Sequence, residues 1–185
     1  MPLRKTIEVV SRIAAEGVIR QYAIAGAVAA LNYIQPTLTE DLDILVSVED
    51  LEERRSGLVL LTPIEVALAK LGYTERSDVG IRVEGWPVQF LPVASALDEE
   101  ALSEAAEVEF RSGEDPVIKA RILRAEHVVA TALKLGRLKD LARVEAFLDQ
   151  EAVDLAKLKV VLQRHDLMSA WRTFLLKSER QDLLG

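Results

Sequence analysis

The sequence predicts an α+β fold in which a mixed β-sheet, flanked by helices, is followed by a C-terminal helical bundle. Apolar runs of strand length fall before residue 124, whereas from residue 126 onward apolar residues recur at helical spacing to the end of the chain. Glycine, proline and polar clusters separate these runs, so the connections are short. We divide the chain into an α/β core, residues 1–124, and a C-terminal helical region, residues 125–185, packed on it. A length of 185 residues suits one well-buried core with a helical extension. Internal repeats and low-complexity tracts are absent from the sequence.

Residues 4–16 place Ile7, Val10, Ile13 and Ala14 at helical spacing among charged residues, the pattern of a helix that covers a sheet. Gly17 ends it. Residues 22–25 read as a short buried strand, and residues 27–33 as a helix that Pro36 stops. The loop QPTLTE delivers the chain to a strand over residues 41–48, with Leu42, Ile44 and Val46 on one face and Asp41 and Asp43 on the other. Residues 49–61 mix charge with leucine around a break at Gly57. A helix over residues 63–71 has Thr62 and Pro63 as cap and first position, and Gly72 stops it.

Residues 81–84 and 88–93 form an expected antiparallel hairpin, joined at Gly85 and Trp86. A short helix over residues 96–106 follows, then strands over 107–111 and 117–122 around the turn SGEDP. The helical part shows Val128, Val129, Ala132 and Leu133, then Leu141, Val144, Phe147 and Leu148, then Leu155, Leu158, Val161 and Leu162, with a last helix around residues 171–176. Breaks at Gly136, Gln150 and His165 imply antiparallel neighbours. Trp86 and Trp171 read as packing residues, and His127 and His165 as surface or helix-end residues.

Composition narrows the function. Half of the residues are hydrophobic and 29% are charged, and no window approaches the roughly 20 apolar residues of a membrane span. The first residues lack the continuous apolar core of a secretion signal. A soluble, cytoplasmic protein without a membrane partner is expected. The absence of cysteine excludes disulfides, thiolate metal sites and cysteine nucleophiles. A net charge of -7 argues against broad binding of nucleic acid, and two widely separated histidines argue against zinc.

The candidate chemistry lies in residues 22–48. Asp41 and Asp43 share one face of a strand, and two acids on one rigid face invite a cation. Upstream, an apolar strand turns at Gly26 into an alanine-rich helix start whose N–H groups suit an anion. A pair of acids opening a strand is also compatible with a solvated edge or a turn cap; the glycine turn beside it favours a site.

The order Gly26-Ala27-Val28-Ala29, then Thr39-Glu40-Asp41-Leu42-Asp43, resembles the signature of the DNA polymerase β-like nucleotidyltransferase superfamily. The later TALKLGRLKDLARVEAFL resembles the C-terminal part of small bacterial members, including the abortive-infection toxin nucleotidyltransferases. The resemblance implies a nucleotidyltransferase-like sheet and transfer of a nucleoside monophosphate from an NTP to an acceptor hydroxyl. It leaves the acceptor open between a protein, a small molecule and an RNA end. The implied cofactor is Mg²⁺ or Mn²⁺, held by Asp41 and Asp43. It further implies that Gly26 and Ala27 admit the triphosphate and that Thr39 contacts phosphate or orients Asp41. Lys134, Arg137 and Lys139 would form a cationic clamp, with Asp140 positioning one of them.

Three positions depart from the family pattern. Ala27 stands where a second Gly or Ser is usual, and Thr37 where an arginine is often found. Gln89 holds the place of the third catalytic carboxylate. An amide keeps an oxygen ligand but loses the charge and cannot act as a base. The alternative function is therefore a catalytically impaired nucleotide-binding or protein-interaction module in a toxin–antitoxin or phage-defence pair. Lys134, Arg137 and Lys139 also suit a solvated helix end, Gln89 the outward residue of an amphipathic strand, and the C-terminal leucines a homodimer interface.

Overall fold

A computed structural model describes residues 2–35, 39–47, 61–110 and 116–184. The stop at Pro36, the departure at Thr37, the break at Gly57, the end of the expected strand at Arg111 and most of the SGEDP turn lie outside the described residues. The elements run α1 (Pro2–Ala15), β1 (Gln21–Ile24), α2 (Gly26–Ala30), β2 (Leu42–Ser47), α3 (Thr62–Lys70), β3 (Ile81–Val83), β4 (Trp86–Pro92), α4 (Ala96–Ser103), β5 (Ala106–Phe110) and β6 (Ile118–Ile122). Then come α5 (Ala125–Leu135), α6 (Leu138–Asp149), α7 (Leu155–Arg164) and α8 (Met168–Ser178). The fold is α+β, with the order of elements expected from the sequence.

The six strands form one mixed sheet in the order β3-β4-β2-β1-β6-β5. Hairpins β3–β4 and β5–β6 are antiparallel, as is the pair β1–β2, while β2–β4 and β1–β6 are parallel. Because side chains alternate along a strand, each face of β2 has a distinct neighbour. On one face Tyr22 lies opposite Val46, and its hydroxyl meets Ser11 of α1 at 2.7 Å, so α1 lies on the face that carries Leu42, Ile44 and Val46. The other face carries Asp43 and Leu45 toward α2, α4 and α5.

Two local differences from the sequence reading stand out. The helix after Gly26 spans only five residues and passes into a turn before Ile34; Tyr33, in that turn, donates to the Leu123 carbonyl at 3.0 Å and lies against Phe147. The first hairpin turns at Glu84 and Gly85, both with positive φ, which leaves Trp86 to open β4. Trp171 packs as expected, fully buried beside Phe174, with its Nε1 donating to Asp182 at 2.9 Å.

His127 is a correction. It is 1% exposed on the first turn of α5, and its Nε2 lies 3.3 Å from Glu100 Oε1. His165, at the end of α7, brings its Nε2 to 3.0 Å from Glu100 Oε2, where Arg164 Nη1 also arrives at 2.8 Å. Histidines 38 residues apart in sequence thus converge on one carboxylate of α4, which ties α5 and α7 to it. Burial opposes ionisation of Glu100, but the hydrogen bonds from Arg164, His165 and His127 outweigh it and hold the carboxyl down at about 2.

An unfolded glutamate titrates near 4.5, so on acidification the unfolded chain takes up this proton first. The stability contributed by Glu100 is complete above that value and is lost as pH falls toward 2. Glu100→Gln is expected to lower the melting temperature at pH 7 by about 4–8 °C and to flatten its decline between pH 4.5 and 2. Thermal denaturation followed by circular dichroism across that range checks both.

Candidate active site

The site begins where β1 ends. Ala25 N–H donates to the Asp43 carbonyl at 2.8 Å, which holds the chain against β2 as it leaves the sheet. Gly26 then adopts φ +58, and a Cβ built there would lie 2.1 Å from Asp43 Oδ2. The Asp43 carboxylate therefore occupies the space that a side chain at residue 26 would fill. Glycine meets both demands, a left-handed backbone and no Cβ.

Asp41 precedes β2, and the Thr39 hydroxyl lies 3.2 Å from both its carbonyl oxygen and its Oδ1. Parallel pairing sets Asp43 beside Gln89 of β4, in register, with Leu42 beside Val88 and Ile44 beside Phe90. Val88 and Phe90 are buried on the α1 face, and Gln89 joins Asp41 and Asp43 at the wall of a cavity of about 300 Å³. Glu84 does not reach this cavity; it accepts from the Tyr73 hydroxyl at 2.5 Å. Among the described residues, no group of three or more His, Cys, Asp or Glu side chains is arranged to hold one metal ion.

The opposite wall is cationic. Asp140, fully buried on the first turn of α6, accepts from Arg137 Nε at 2.5 Å and from Arg143 Nη1 at 3.3 Å. Arg137 caps α6 and Arg143 lies one turn beyond Asp140, so one buried carboxylate fixes two guanidinium groups at the cavity. Lys139 lines the same wall. Lys134 lies further along the cavity and donates to Ser95 Oγ at 2.8 Å. An adjoining open groove of about 580 Å³ runs past Thr39, Glu40 and Ala142 and shares Ala27, Asp41, Lys139 and Arg143 with the cavity.

Burial and neighbouring charge set the direction in which the Asp43 pKa moves. Burial raises the pKa of Asp43, the neighbouring charge of Asp41 raises it further, and Lys139, Arg143 and Arg137 pull it back. Arg137 is pushed above its ordinary value by its hydrogen bonds to Asp140, with Asp43 and Asp41 adding to the effect. Two crowded carboxylates facing three cations across a cavity are suited to a bound cation on one side and a polyanion on the other.

No protein-family model and no curated protein matches the chain. Among solved structures, the chain is similar to the solution structure of the antibiotic-resistance factor ANT(2'')-Ia, at 17% identity and a TM-score of 0.48, over 94% of this chain and 95% of that one. It is similar at the same identity and TM-score to the crystal structure of ANT(2")-Ia in complex with adenylyl-2"-tobramycin, over 91% of this chain and 96% of that one. At these values the likeness assigns no activity, and the case for function rests on the site.

Asp41, Asp43, Gln89, Gly26, Ala27, Lys134, Arg137, Lys139 and Asp140 all line one cavity, and Thr39 braces Asp41 at its edge. Sequence reasoning missed Arg143 and Asp98, which line it too. The spacing of Arg143 from Asp140 on a helix was an available signal. Asp98, three residues after Ser95, reads as part of a helix cap, and the Ser95 side chain does cap α4.

Because the folded pKa of Asp43 is raised, its stabilising contribution is present below the unfolded value of 3.8 and is lost as pH rises through the folded one. At neutral pH its charge is a net cost in the metal-free protein. Asp43→Asn should raise the metal-free melting temperature by about 1–3 °C, whereas Gly26→Ala should cost about 1–3 kcal/mol. Melting curves of both variants in EDTA test these opposite signs, and a fall in the Asp43→Asn midpoint contradicts the charge-crowding account.

Proposed function

We propose that the protein is a nucleotidyltransferase that moves a nucleoside monophosphate from an NTP to an acceptor hydroxyl. The observation that carries this reading is the meeting, in one cavity, of Asp41 and Asp43 with Arg137, Lys139 and Arg143. In this reading residues 1–124 form the core that binds the cation and the reacting phosphate, and residues 125–185 supply the cationic wall.

The donor set fits Mg²⁺, which is commonly held by one or two carboxylates together with substrate phosphates. When bound, Mg²⁺ supplies charge neutralisation at the α-phosphate and alignment of the attacking and leaving oxygens. Asp41 and Asp43 are the residues that would hold it. Thr39 keeps Asp41 oriented, and Gly26 and Ala27 let the phosphates approach the strand end. The five-residue α2 is too short for much dipole effect, so its contribution is space. Arg137 and Arg143, fixed by Asp140, and Lys139 neutralise the departing pyrophosphate. The acceptor hydroxyl attacks the α-phosphorus, the bond to pyrophosphate breaks, and the hydroxyl proton passes to solvent.

A second reading is favoured by the register of β2 and β4. Gln89 beside Asp43 offers an amide where a base would help, so the site also suits nucleotide binding without turnover, as a module of a toxin–antitoxin or phage-defence pair. Incubation with α-labelled NTPs and Mg²⁺ separates the two. Label transfer by the wild type supports the enzyme; gain of transfer only in Gln89→Asp supports the binder. Asp41→Ala with Asp43→Ala should abolish the Mg²⁺-dependent rise in melting temperature given by NTPs. If no NTP stabilises the wild type, both readings fail.

A further inference from the structure

We propose that Asp98 selects the base of the bound nucleotide and favours bases that carry an exocyclic amino group; this rests on the nucleotide reading above. The cavity does not end at the acids. It continues along β2 and β4 from the Asp43–Gln89 level past Leu45 and Leu91, which are also paired in register, and is closed by Leu123 and by Val128 and Ala132 of α5. Beyond the end of β4, Asp98 of α4 and Lys134 of α5 supply polar groups to the same cavity. Gln89 and Pro92 are about 10 Å apart along the strand, so room for a sugar separates the phosphate end from Asp98. The acceptor then approaches by the open groove past Thr39 and Glu40, which meets the cavity at Asp41.

Apolar walls with one polar end suit a planar base, whose faces are apolar and whose edge is not. The polar end combines the Lys134 ammonium with the Asp98 carboxylate, and the acceptor is the group left partly unsatisfied. Asp98 Oδ2 is occupied, accepting from the Ala94 N–H at 3.2 Å and the Ser95 hydroxyl at 2.8 Å, while Lys134 donates to that same hydroxyl. Oδ1 makes no hydrogen bond among the described residues. An ionised carboxylate only accepts. It therefore pairs with an exocyclic amino N–H of adenine, cytosine or guanine, whereas at that edge uracil and hypoxanthine present a carbonyl oxygen, acceptor to acceptor, and only a single ring N–H. A site that leaves a polar group unpaired rejects the wrong ligand strongly.

The test compares ligands that differ only at that edge. Calorimetric titration of the full-length protein with Mg²⁺ and ATP, ITP, CTP or UTP should show ATP tighter than ITP, and CTP tighter than UTP, by at least about tenfold. Asp98→Asn retains an oxygen for capping and adds an N–H donor, so both ratios should fall below about threefold. Equal affinity within each pair, with binding still lost in Asp41→Ala, overturns the base assignment and leaves the nucleotide reading standing. Ratios that persist in an Asp98→Asn variant of unchanged melting temperature overturn the role of Asp98. Absence of NTP binding overturns both this inference and the reading on which it rests.

Discussion

The Oδ2 atom of Asp43 sits where a side chain at residue 26 would begin. The approach follows from the sheet: β1 and β2 pair antiparallel through Ile24 and Ile44, and the next hydrogen bond, from Ala25 to Asp43, draws the departing chain across the acidic face. Only a residue that accepts positive φ and lacks a Cβ can make that turn. Asp43 and the chain that leaves β1 take their positions from this point. Asp43 is fixed from one side by Gly26 and from the other by the parallel pairing with β4, which in turn fixes Gln89.

The cationic wall is built on a different principle. A fully buried carboxylate is costly unless its charge is met, and Asp140 is met by two arginines of its own helix end. That pairing leaves the guanidinium groups with donors to spare at the cavity, where they face Asp41 and Asp43. The C-terminal helices hold this wall in place through Tyr33 against Phe147 and through Gln150, whose Oε1 accepts from the Gln35 N–H at 2.8 Å. The Glu100 cluster, joining α4, α5 and α7, does the same from the far side. Among the described residues, no helix is long and apolar enough to cross a membrane.

What could be read in the sequence was what depends on local period. Alternation placed Asp41 and Asp43 opposite Leu42 and Ile44, and the hairpin of β3 and β4 was visible in its turn residues. Convergence was harder to read. His127 looks exposed in a charged stretch, and nothing local announces that Glu100, 27 residues earlier, lies beneath it. Arg143 carries a helical spacing signal from Asp140 that gains meaning only once Asp140 is known to be buried. Asp98 looks like part of a helix cap and is one, but it also lines a cavity walled by the parallel pair β2 and β4. The placement of Gln89 beside Asp43 likewise depended on sheet register, which a single strand does not encode.

The central claim is that Asp41 and Asp43, at the start of β2, and Arg137, Lys139 and Arg143, at the start of α6, hold the two ends of a metal–triphosphate. A crystal structure with Mn²⁺ and a non-hydrolysable NTP analogue tests it most directly, because manganese is located by its anomalous signal. The account predicts a manganese peak about 2.1 Å from oxygens of Asp41 and Asp43, with phosphates contacting Arg137, Lys139 or Arg143. A metal peak away from both acids, or phosphates bound elsewhere on the protein, would contradict it.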